Sequence, residues 1–113
     1  MDIKKLIKEE LLVESKSFET FAEKRFKGAE KITNNAKEKG GPAMLTYHHF
    51  KVKLPYYKKA SEGKFNVEES KKEFKEHLDL LCKLSENVDM QQTEFQKLVG
   101  LIEVLGELII KHK

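Results

Sequence analysis

Gly40-Gly41-Pro42 limits this chain more than any other feature. It separates two stretches whose apolar residues recur at helical spacing, and it leaves no room for a helix to run through. Glycine can take the left-handed conformation that ends a helix, and proline suits the first turn of the next because its missing N–H would have been unpaired there. The only other proline is Pro55, so everything else can be read as helix punctuated at few places.

Five helical segments follow from the periodicity, and no strand. The first runs from about Asp2 to Val13, with Ile3, Leu6, Ile7 and Leu11 on one face and Asp2 as cap. The second starts near Ser17 and carries Phe18, Phe21, Ala22, Phe26, Ala29, Ile32 and Ala36 as its stripe. The third begins at Pro42. Ala43, Tyr47, Phe50, Leu54 and Tyr57 form one face, and Leu45, His49, Val52 and Tyr56 nearly the opposite one. A helix apolar on two faces belongs in the middle of a bundle or at an interface. Pro55 predicts a kink or restart there, because it removes a ladder bond and crowds the carbonyl of Lys51.

Ser61-Glu62-Gly63-Lys64 reads as a turn, and Asn66 with Glu69 as the capping pair that opens the fourth helix. Its core stripe is Val67, Phe74, His77, Leu78, Leu81 and Leu84. Asn87-Val88-Asp89 is a short connection. Asp89 and Gln92 cap the fifth helix, which reaches about Lys111. The expected architecture is therefore all-α: a compact bundle of four to five helices with a long apolar C-terminal helix, in a single domain over 1–113, with breaks near residues 15, 41, 63 and 88.

Several function classes lose support at this level. The chain has one cysteine, Cys82, so no intramolecular disulfide framework exists, and its helical setting reads as a buried thiol. No apolar run reaches membrane-span length, and the charged N-terminus does not read as a secretory signal, so the expected setting is cytoplasmic. His48, His49, His77, His112, Cys82 and Glu73 do not fall into a metal-ligand spacing, and no cofactor is expected. No glycine-rich phosphate loop or nucleophile elbow is present, which leaves a non-enzymatic protein.

Charge offers one candidate site. Residues 16–64 carry twelve Lys/Arg against five acids, whereas 65–113 carry seven Lys against ten acids. Within the positive part, Lys51, Lys53, Tyr56, Lys58 and Lys59 form a basic-aromatic set suited to a nucleic acid or another anion. The competing reading is that the aromatics are core and the lysines a solvated edge.

The fifth helix offers the other. From Leu98 to Ile110 it carries two stripes: Leu98, Ile102, Leu105 and Ile109, then Leu101, Val104 and Leu108. Gly100 and Gly106 fit where another helix packs close. Either this helix is the centre of the bundle, or one stripe is left for a protein partner, most simply a second copy in a two-fold dimer. With Leu101, Val104 and Leu108 outermost, those residues are the expected interface.

The opening Ile3-Lys4-Lys5-Leu6-Ile7-Lys8-Glu9-Glu10-Leu11-Leu12 resembles the starts of small accessory proteins of large tailed phages. The runs Gly28–Ile32, Ala36–Pro42 and Leu45–Phe50 are similar to such proteins too. The resemblance implies an accessory protein acting on host machinery or decorating a particle, in the host cytoplasm. It carries no functional residues with it.

Overall fold

The computed structural model describes the backbone of residues 3–84 and 92–112, and within those ranges the side chains from Ser17 onward. The described residues form an all-α bundle: α1 (Ile3–Lys39), a 3₁₀ turn (Gly41–Ala43), α2 (Met44–Lys51), α3 (Leu54–Ser61), α4 (Val67–Leu84) and α5 (Gln92–His112).

The expected break near residue 15 is absent. One helix of 37 residues runs through it. Glu14-Ser15-Lys16 contains neither glycine nor proline, and serine, a good cap, is also tolerated inside a helix. The breaks near 41 and 63 are present. Gly40 ends α1 at φ 63° and Gly63 ends α3 at φ 74°, conformations that side-chain-bearing residues avoid. The Asn87–Asp89 connection lies outside the described residues.

Pro55 acts as its chemistry requires. Lys53 N–H donates to Phe50 C=O at 3.1 Å, a tightened turn, and Tyr57 N–H donates to Lys53 C=O at 3.1 Å as α3 starts. Asn66 caps α4, its Oδ1 accepting from Glu69 N–H at 3.0 Å.

The helices follow one another across the bundle. α1 packs along α2 and α3, α2 packs on α5, and α5 packs on α4. The pair α2–α3 is thus flanked on both sides, as its two apolar faces require. The α1 surface that meets it is built from small residues: Ala22, Ala29, Thr33 and Ala36 are buried. Thr33 satisfies its hydroxyl by donating to Ala29 C=O at 2.6 Å. Ile32, expected in this stripe, stands 39% exposed because it sits beside the alanine row rather than on it.

α5 is the centre. Val104, Leu105 and Leu108 are wholly buried and join Ala22, Ala29, Tyr57 and Ala60 in the main core. A side chain at Gly100 would overlap the His49 carbonyl, and one at Gly106 would meet Phe74 Cε2 at 3.2 Å. α2 and α4 therefore crowd two different faces of α5. This accounts for the surplus of apolar positions on that helix. At one end, Phe18 of α1, Phe65 and His112 of α5 gather with ring centroids 5.0–5.3 Å apart.

Candidate functional site

The basic-aromatic segment is divided by the break after α2, and the structure does not bring its residues together. Lys53 is buried. Its Nζ lies 3.5 Å from Glu103 Oε2 on α5 and 4.7 Å from the Phe50 ring centroid. That corrects its assignment to an anion site. At the turn between two helices its long side chain reaches inward, and its ammonium is matched by a carboxylate fifty residues away in sequence. His49 joins the same carboxylate, Nε2 to Oε2 at 2.6 Å, while its Nδ1 lies 3.2 Å from Gln96 Oε1. These contacts fasten α2 to α5.

Tyr56 is half-buried on α3. Burial raises its phenol above the usual tyrosine value, and the charge of and hydrogen bond to Glu73 on α4 add to this. It faces a carboxylate instead of presenting a ring for stacking. Lys51, Lys58 and Lys59 remain exposed. Lys51 Nζ lies 5.2 Å from the centroid of the Tyr47 ring. The Lys51 hydrogen bond lowers the Tyr47 phenol from its usual value, against desolvation and with help from the charges of Lys51 and Lys37. Exposed Lys37 and Lys51 thus form a small basic group around half-buried Tyr47 at the end of α1, apart from Lys58 and Lys59 at the end of α3.

A second polar seam crosses the bundle. Tyr57 O–H donates to Glu107 Oε1 at 2.9 Å, and Arg25 Nε lies 3.4 Å from the same oxygen. One carboxylate on α5 thereby ties α3 and α1. Burial, followed by the Glu107 hydrogen bond and charge, pushes the Tyr57 phenol far above its usual value.

The expected interface on α5 is corrected as well. Val104 and Leu108 are 0% exposed inside the chain's own core, and Leu101 is half-buried. The stripe taken as outer faces α1–α3, because those helices occupy that side of α5. The uncovered apolar surface lies elsewhere. Leu78 and Leu80 of α4 are 39% and 45% exposed, and Phe95 at the start of α5 is 42% exposed. Leu81 and Leu84 are half-buried, and Ser70 is the one buried residue of α4.

At 100° per residue, exposed Leu80 and Leu78 stand about 160° apart on α4, at the two edges of a sector whose middle holds Leu84, His77, Leu81, buried Ser70 and Phe74 and packs on α5. The sequence pattern puts Leu78 on the core stripe and leaves Leu80 off it, whereas both stand exposed. Cys82, expected as a buried thiol, is exposed on the same helix because it falls outside this sector.

Among the described residues, no group of three or more His, Cys, Asp or Glu side chains is placed to hold a metal ion. None of the described helices is long and apolar enough to cross a membrane. No protein-family model, characterised protein or solved structure matches the chain.

Proposed function

We propose that the chain is a non-enzymatic helical interaction protein, an adaptor or particle-associated component of the phage-accessory kind that its middle run resembles, acting through an apolar helix face. The supporting observation is that Leu78 and Leu80, on the two edges of the α4 face that packs on α5, and Phe95 at the start of α5 are left exposed. Large apolar side chains left uncovered beside a helix–helix seam are where helical proteins take partners. The test compares proteins captured from cells by the tagged chain and by its Leu78→Lys/Leu80→Lys variant. A specific protein partner held by the first and lost by the second supports the reading. Identical captures from both dismiss it.

A second reading is anion or nucleic-acid binding. It is favoured by the convergence of exposed Lys37 and Lys51 on half-buried Tyr47. Such binding weakens steeply with salt, so absence of retention on a heparin column at low salt dismisses it.

A further inference from the structure

We propose that one exposed side of α1, extended by the C-terminal end of α5, is a docking surface for the sugar–phosphate backbone of a duplex nucleic acid. The inference takes its class of partner from the second reading above and assigns it a different surface, away from Tyr47.

The charges of α1 are sorted around the helix. At 100° per residue, Lys24, Arg25, Lys31 and Lys39 fall within an arc of about 120°, and all four are exposed. Glu19, Glu23 and Glu30 fall on the other flank, beyond the buried row of Ala22, Ala29 and Ala36. Glu38 borders the basic side only at its C-terminal end. α5 adds to that side. Lys111 Nζ lies 5.0 Å from the Phe21 ring centroid and Arg25 Cζ lies 5.2 Å from it, so one ring holds a cation from each helix. Arg25 also meets Glu107, yet its side chain stays 56% exposed. Among the described residues, Lys24, Lys31, Lys39 and Lys111 have no carboxylate within 4.0 Å.

Gly28 points the same way. Glycine inside a helix costs stability. At Gly100 and Gly106 the crowding of neighbouring helices explains it. Gly28 is exposed in the middle of the basic arc, and nothing in the chain lies within 4 Å of a Cβ added there. The chain's own packing gives no reason for bare backbone at that point. A body that docks against α1 between Lys24 and Lys31 does, because only glycine lets it come so close.

The chemistry favours a phosphate backbone over a protein. From Lys24 to Lys39 the basic side runs about 22 Å along the helix, and a duplex carries a negative charge about every 1.7 Å of its axis. The centre of a protein interface is depleted of charge. Here the centre is lysine, and Ile32 is the one exposed large apolar side chain among the described residues of α1. Exposed Ser17 and Asn35 on the same side suit phosphate oxygens. Phe21, half-buried and engaged by two cations, gives bases no open platform, which favours a duplex over a single strand.

The experiment follows binding of the full chain to a fluorescein-labelled duplex of mixed sequence by anisotropy, from about 50 to 200 mM salt. With roughly four phosphates neutralised, affinity should fall on the order of 100-fold across that range. Lys24→Gln/Lys31→Gln, at exposed positions without ion pairs, should reduce the salt slope by about 2. Gly28→Leu should weaken binding while leaving the urea midpoint no lower, which separates the surface from the fold. Absence of duplex binding at low salt overturns the proposal, and heparin retention then decides the second reading by itself. Binding that Lys24→Gln/Lys31→Gln leaves unchanged also overturns it; if Lys37→Gln/Lys51→Gln removes that binding, the reading at Tyr47 stands. Tighter binding to the single strand of the same sequence, or to poly-glutamate, overturns the duplex in favour of base stacking or an acidic protein.

Discussion

Replacing Gly100 by alanine tests the packing at the centre of the bundle. In an open helix the change stabilises by about 1 kcal/mol, because alanine restricts the unfolded chain and glycine does not. At position 100 the added methyl overlaps the backbone carbonyl of His49 and meets Val52 Cγ2 at 2.8 Å. A carbonyl in a helix cannot swing aside as a side-chain tip can, so α2 must move back as a unit. Overpacking of this kind costs about 1–3 kcal/mol. The same displacement stretches the contacts of His49 with Glu103 and Gln96, at 2.6 and 3.2 Å, each worth roughly 1 kcal/mol. The net expectation is a loss of about 2–3 kcal/mol, near 10 °C in melting temperature for a chain this size.

Two other glycines serve as controls. At Gly106 the methyl meets only the edge of the Phe74 ring, at 3.2 Å, and Gly106→Ala should lie within about 1 kcal/mol of the unmodified chain. At Gly28 nothing lies within 4 Å, and Gly28→Ala should stabilise by about 1 kcal/mol. Urea unfolding followed by circular dichroism at 222 nm measures all three. If Gly100→Ala proves as stable as Gly28→Ala, α2 does not rest on α5 as described.

Tyr57→Phe removes the hydrogen bond to Glu107 and should cost about 1 kcal/mol near neutral pH. The Tyr57 phenol is raised in the folded state, so its stabilisation is full below the unfolded value of about 10 and is lost as pH climbs above it; Tyr56 moves the same way. Unfolding of the unmodified chain should therefore turn steeply easier above pH ~10, and less steeply in Tyr57→Phe. An equal slope in both dismisses the role given to burial. Glu103→Ala strands the buried Lys53 ammonium and should cost about 1–2 kcal/mol, less than a fully buried pair because Glu103 is half exposed. Lys53→Met, which removes the charge and keeps the bulk, should be nearly neutral in the same urea assay. Asn66→Ala deletes the α4 cap and should cost about 1 kcal/mol in thermal unfolding.

Local chemistry made much of this fold legible. Gly40, Gly63, Pro55 and Asn66 each act through neighbours within four residues, so their effect can be read without knowing the rest of the chain. What escaped the sequence depends on residues far apart. Nothing near Lys53 says that Glu103 will stand beside it. Nothing in α5 says that α2 and α4 take different faces, so the stripe of Val104 and Leu108 was indistinguishable from one left open. The run through residue 15 was missed for another reason: serine and charged residues permit a boundary there without requiring one.

The buried alanines of α1 act as notches on a ruler. Ala22, Ala29 and Ala36 recur every seven residues, a repeat of about 10.5 Å along the helix. If α1 slid by one repeat, notch would fall on notch, and small residues would again face α2 and α3. The alanines alone therefore cannot say which register is the right one. That choice falls to features that occur once: Arg25 against Glu107, and the rings of Phe18, Phe65 and His112 closing the end. The smooth part of the contact lets the helices come close, and the irregular part tells them where to stop.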